Sequence, residues 1–204
     1  MLKCYTVAML YIVGLGNFGK EYEKTRHNAG FLALDYLTQK FNLPQAVKSS
    51  RQSGLISEGV IAETPVTLLY PTTQMNHSGG AVKKLLTTNS ATPAELLLIY
   101  DDVDIAVGGF KLSFGRGSGG HNGLQSVIDV LGTKDFKRIR IGVAKGGSFF
   151  RRPSRPNGGV MAKYVLSPFS VREQTALEPV FATVSEVVLA TIVHSWEKAM
   201  SQFN

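Results

Sequence analysis

The chain has 204 residues, of which 44% are apolar and 18% charged, and carries a net charge of +7. That length suits one domain with a substantial core, and the composition excludes intrinsic disorder. The single cysteine, Cys4, excludes an internal disulfide and any zinc site built on paired thiolates, and it fits a reducing compartment. The opening MLKCYTVAML has one lysine and no small-residue cleavage site, so no signal peptide is expected. No apolar stretch approaches the roughly 20 residues that cross a bilayer.

Beyond that opening, short apolar runs alternate with helical patterns, which predicts an α/β layer architecture. Residues 11–15 read as a buried first strand, leading into a glycine turn. Phe31, Leu34, Leu37 and Phe41 recur at helical spacing and predict a helix over about 28–42. Residues 55–61 and 66–69 suggest two strands around a turn, and 79–88 a helix. The continuous apolar run 96–100 has the character of a central strand delivering Asp101, Asp102 and Asp104 at its carboxyl edge. Asp102 and Asp104 read as turn residues or helix caps. Residues 110–114 predict a strand, 124–131 a helix, and 138–143 a strand of alternating Arg and Ile.

Residues 146–159 hold Phe149, Phe150, Arg151, Arg152 and Arg155 among prolines and glycines, which predicts a basic loop with aromatic rings able to stack on bases. Ser170 with Glu173 has capping-box spacing, with Phe169 before it as a staple residue. A long helical region should follow, interrupted near Pro179. The charge is uneven. Between Lys134 and Arg172 ten basic residues face one acid, Asp135, so this segment carries +9. Such a stretch favours a polyanionic partner, and the alternative is a solvated basic loop.

Four segments place compact polar groups beside glycine: 11–30 with Asn17 and His27, 74–80 with Met75 and Asn76, 101–104, and 119–123 with His121 and Asn122. Glycine lets the backbone close on a ligand, while Asn, His and Asp supply donors, acceptors and a titrating ring. His27 is the candidate general base, because an imidazole titrates near neutrality and can take a proton from an attacking water. Ser78 and Ser118 lack the G-x-S-x-G context of a hydrolase nucleophile, so no covalent intermediate is expected. The four histidines show no H-x-x-x-H spacing, although the paired acids are a conceivable Mg²⁺ site.

In this order, from about Tyr11 to Gly142, the segments resemble the bacterial-type peptidyl-tRNA hydrolase family, whose members cleave the ester between a stranded peptide and its tRNA. The resemblance implies a single domain over 1–204, an α/β/α sandwich around a twisted, mixed and mostly parallel sheet. It implies that His27 activates water and that Asp101 holds the ring in one tautomer. It assigns Asn17, Asn76 and Asn122 to positioning substrate and water, with Tyr22, Met75 and His121 as further substrate contacts. Arg140 and Lys111 would bind the tRNA phosphate. No cofactor and no metal are implied, and the protein would act as a cytoplasmic monomer that recycles tRNA from stalled translation.

Departures from the family pattern are Ser113 where a clamp lysine is expected, Phe18 for proline and Gln74 for an aromatic. Family members begin near Met9, which makes residues 1–8 an extension or a misplaced start. Two other readings compete. Gly14, Gly16 and Gly19 satisfy the dinucleotide fingerprint G-x-G-x-x-G, but the charged KEYEKTRHN follows instead of an apolar helix. Relatives of the family also serve as non-catalytic RNA-splicing cofactors, and these would share the basic surface.

Overall fold

The computed structural model describes residues 9–145 and 158–204. The expected extension at 1–8 and nearly all of the basic loop at 146–159 therefore lie outside the described residues. Strands β1 (Leu10–Gly14), β2 (Val47–Ser49), β3 (Gly54–Ile61), β4 (Thr64–Pro71), β5 (Leu96–Ala106), β6 (Phe110–Phe114) and β7 (Lys137–Ala144) form one sheet, in the order β2-β3-β4-β1-β5-β7-β6. The central β4, β1, β5 and β7 are mutually parallel. On one side β3 runs antiparallel to both β4 and the edge strand β2, and at the other edge β6 runs antiparallel to β7.

Two-residue alternation along the strands distributes the core into two layers. Leu10, Ile12, Leu97 and Ile99 face a layer made by α1 (Ala29–Lys40), α5 (Val171–Val193) and α6 (Trp196–Phe203). Tyr11, Val13, Leu96, Leu98 and Tyr100 face the opposite layer of α2 (Ser78–Thr88) and α3 (Asn122–Leu131). The result is the α/β/α sandwich that the sequence pattern and the resemblance imply. Because β1, β4 and β5 are parallel, the loops that follow them gather along one edge of the sheet.

Glycine decides how α1 sits. A Cβ on Gly14 would lie 2.6 Å from the Gly30 carbonyl oxygen, and one on Gly30 would lie 2.4 Å from that of Ile99. Only bare backbone lets the start of α1 press onto β1 and β5. The turn before it, which carries His27, is thereby held at the carboxyl ends of those strands. No helix opens directly from the Gly14–Gly19 turn: two single 3-10 turns, Lys20–Tyr22 and Arg26–Asn28, intervene before α1. A dinucleotide fingerprint would need a helix N-terminus there.

The structure corrects several expectations. Strand β2 was not evident in the sequence, because Val47 and Lys48 are exposed and carry no alternating pattern. Strand β5 runs on to Ala106 with a register shift after Asp102, so Asp102 and Asp104 belong to a strand and do not cap a helix. Helix α5 continues through Pro179 without interruption. Pro179 is exposed, so water can satisfy the carbonyl that loses its partner, while Leu177, Val180, Phe181 and Val184 hold the other side to the core. At 23 residues and a mean hydropathy of 1.7, α5 also has the length and composition of a membrane span, which the sequence reading did not anticipate. Its apolar side packs in the core. The Ser170–Glu173 capping box is present at its start, and Phe169 is buried. A short helix, α4 (Gly158–Val165), precedes it; it overlaps the expected loop only at residues 158 and 159, and no element was predicted for 160–165.

Candidate active site

Alternation along β5 puts Asp101 on the same side as Ile99, toward α1, and the turn before α1 brings His27 to meet it. His27 Nδ1 donates to Asp101 Oδ1 at 2.7 Å. A carboxylate only accepts, so the proton sits on Nδ1 and Nε2 is left as the basic nitrogen of the ring. From the opposite helical layer, His121 Nε2 donates to the same Asp101 oxygen at 2.9 Å. Its Nδ1 accepts the Leu124 N–H at 3.1 Å, capping α3, which fixes the tautomer of this second ring. The two rings lie 4.9 Å apart between centroids, and Tyr100 meets His121 edge-on at 5.1 Å.

Asp101 is 3% exposed. Burial alone would raise its pKa, but His27 and His121 outweigh burial and hold the carboxyl far below the usual carboxylate range. Burial pulls the His27 pKa down, and Asp101 more than compensates, leaving it above the ordinary 6.5. These three side chains offer ligand atoms within 4.8 Å of one another, a spacing that would suit a cation. A metal there would have to displace both ring protons that now satisfy the carboxylate.

His27, Asp101, His121, Asn122 and Arg140 line one cavity of about 920 Å³, with Met161, Ala162 and Val165 of α4 forming part of its wall. Asn122 opens α3, so the positive end of that helix lies at the cavity, suited to a developing oxyanion. The chain turns into this position through Gly119 and Gly120, with φ of 62° and 89°, where a side chain would be strained.

Asn17 reaches the His27 turn through Asn28. The Asn28 amide accepts the Asn17 N–H at 2.8 Å and donates to the Asn17 carbonyl at 2.9 Å. Asn17 Oδ1 in turn accepts the Met75 N–H at 3.3 Å, which joins the loops after β1 and β4. Met75 is buried in the α2/α3 core layer, whereas Asn76 is exposed on the same 3-10 turn and Tyr22 half-buried on the turn Lys20–Tyr22. Met75, Asn76 and Tyr22 do not line the His27 cavity.

Lys111 stands opposite Arg140 across β6 and β7, and Ser113 opposite Arg138. Lys111, Arg116 and Arg140 line an adjoining concavity on this face. Arg140 Nε pairs with Asp102 Oδ2 at 2.7 Å, so Asp102 anchors that arginine, while its Oδ1 accepts the Asp104 N–H at 2.7 Å in the local bond of a turn residue. The Ser113 hydroxyl is buried without a hydrogen-bond partner among the described residues. Sequence reasoning missed Asn28, Arg116 and the role of Asp102. The first was signalled by its place directly after His27, the role of Asp102 needed strand register, and Arg116 needed the path of the loop after β6.

A carboxylate-oriented imidazole, a helix N-terminus and a basic outer face meet along one edge of the sheet, an arrangement suited to a hydrolase. The peptidyl-tRNA hydrolase family model matches residues 11–204. Peptidyl-tRNA hydrolases of Clostridium tetani and Thermodesulfovibrio yellowstonii are 38% and 39% identical to this chain, covering 96% of it and 97% and 99% of their own lengths. Among solved structures, an arginine-to-glutamine variant of peptidyl-tRNA hydrolase from Acinetobacter baumannii superposes with a TM-score of 0.86 at 32% identity, over 97% of this chain and 95% of its own. The chain belongs to the peptidyl-tRNA hydrolase family, and it is a hydrolase of peptidyl-tRNA.

Proposed function

We propose that His27 is the general base of this hydrolysis. The carrying observation is the 2.7 Å Nδ1–Asp101 bond, which leaves Nε2 to take the proton of a water attacking the ester carbonyl. Asp101 holds the ring and stabilises the imidazolium that forms. Nε2 then returns the proton to the leaving ribose oxygen. Asn122 and the α3 N-terminus receive the developing oxyanion, while Asn17, Asn76, Tyr22, Met75 and His121 position the peptide and the 3′ end. An ester is already activated relative to an amide, so a base worth roughly 10²–10⁴-fold together with oriented dipoles suffices without a covalent intermediate. No cofactor or metal enters this scheme.

Arg140 and Lys111 bind tRNA phosphate in the same proposal, with Arg116 beside them in place of the lysine that Ser113 replaces. The protein would work as a cytoplasmic monomer, returning tRNA from stalled translation. The deciding experiment is peptide release from N-acetyl-aminoacyl-tRNA, with EDTA present, by the protein and by His27→Ala. Turnover by the first alone is expected. Binding of tRNA without turnover by either protein would favour a pure RNA-binding role.

A further inference from the structure

Arg26, directly before His27, is with Arg138 one of the two largest fully buried side chains among the described residues, at 1% exposure. It points away from the cavity into the junction between α4 and α5. Its Nη2 pairs with Glu173 at 2.9 Å, Nη1 donates to the Val143 carbonyl at 3.4 Å, and Nε donates to Ser167 Oγ at 3.3 Å. The guanidinium carbon lies 4.8 Å from the centre of the Tyr164 ring and 5.0 Å from that of Phe169. The backbone repeats the link: Arg26 N–H donates to Ser167 O at 3.1 Å, and Phe169 N–H to Lys24 O at 2.9 Å.

An arginine buried this deeply is costly unless every face of its fork is used. Here the fork joins three things that the chain keeps far apart: the catalytic turn, the end of β7, and the α4–α5 corner. Glu173 is itself fixed, since its Oε2 also accepts from Ser170 N and Oγ, both at 2.8 Å. Tyr164 of α4 donates to the same Val143 carbonyl as Arg26. Helix α4 carries Met161, Ala162 and Val165 of the cavity wall.

We propose that Arg26 is a positioning residue, which with Glu173 couples the α4 wall of the cavity to the catalytic turn and so sets the His27–Asp101 geometry. The Arg26 and His27 side chains leave one 3-10 turn in different directions, one to the α4–α5 corner and the other to Asp101. A turn anchored at only one end can rock, and a misplacement of about 1 Å at a reacting group costs on the order of 10²-fold in rate. The inference rests on His27 being the base.

Arg26→Lys retains the charge and a contact to Glu173 but loses the fork, so it separates geometry from field. Groups facing the His27 ring are Asp101 from β5 and His121 from the start of α3, with the Asp102–Arg140 pair further along the cavity. Glu173 and Tyr164 face Arg26 itself. Turnover should be measured against pH for wild type, Arg26→Lys and Glu173→Gln, and the His27 ring titrated by NMR in each. Arg26→Lys is expected to lower kcat by about 10- to 100-fold with KM changed less than about twofold. The His27 titration and the acid limb of kcat should move together to lower pH as contact with Asp101 loosens. Glu173→Gln should act in the same direction with a smaller effect, and it decides the matter if Arg26→Lys does not fold. An unmoved ring titration, with kcat falling only as the folded fraction falls, would overturn the coupling. Turnover by His27→Ala would overturn the base assignment instead, because the ring titration reads the coupling without reference to activity.

Discussion

The His27 side of the molecule and the outer face of β6 and β7 are built on opposite principles. Around His27 nearly every polar atom is committed: Asp101 Oδ1 takes two ring protons, Asn28 clasps the Asn17 backbone, and Arg26 is buried in a full set of contacts. On the outer face Lys111 and Arg116 are exposed, Arg140 is anchored by Asp102, and the Ser113 hydroxyl has no partner among the described residues. Proton transfer needs groups held within a fraction of an ångström in a site of low dielectric, so its geometry tolerates little change. Attraction of a polyanion depends on summed charge and falls off slowly, so one lysine can be lost where arginines stand nearby.

That contrast can be broken most directly at Asp101. Asp101→Asn should lower kcat by about 10²–10⁴-fold, as an oriented base is lost. The base must be unprotonated, and Asp101 raises the His27 pKa, so the acid limb of wild-type kcat should have its midpoint above 6.5. With the carboxylate gone only burial remains, and the residual activity of the variant should show a midpoint below 6.5 in a pH–rate profile. An unmoved limb would detach Asp101 from the titrating group.

Arg140→Ala tests the outer face, and its effect should be smaller and fall on binding: about 1.5–3 kcal/mol in tRNA affinity for a lost charge-assisted bond. Unchanged affinity would reject Arg140 as a phosphate ligand. For Lys111→Ala, the log–log salt dependence of tRNA binding should become shallower by about one, with kcat preserved. If kcat fell in proportion instead, the two regions would not be separable.

The smallest effect is expected far from both regions. The β3–β4 hairpin turns through Ala62 and Glu63 with φ of 47° and 65°, left-handed values that Asn and Gly adopt more easily. Replacing the pair by Asn-Gly should stabilise the fold by about 1 kcal/mol in denaturant unfolding and leave turnover unchanged.

Much of this was legible in the chain. Short continuous apolar runs located the central strands, Ser170 and Glu173 announced the start of α5, and the segments around His27, Asp101 and Asn122 supplied residues that line the cavity. The pairing of Asp102 with Arg140 escaped notice because the arginine lies on another strand. Strand β2 escaped notice because its side chains are exposed on an edge. The harmless placement of Pro179 could not be inferred without knowing which side of α5 faces water.

The sequence alone determined what depends on neighbours along the chain: periodicity, capping, glycine turns, and the presence of a histidine and an aspartate fit for base catalysis. The tertiary structure decided which nitrogen of each histidine holds its proton, that both rings share one oxygen, and that Arg26 is buried against Glu173. Those contacts join side chains 74, 20 and 147 residues apart. Local patterns cannot encode such pairings, because they exist only once parallel strands and two helical layers have brought separate loops to one edge of the sheet.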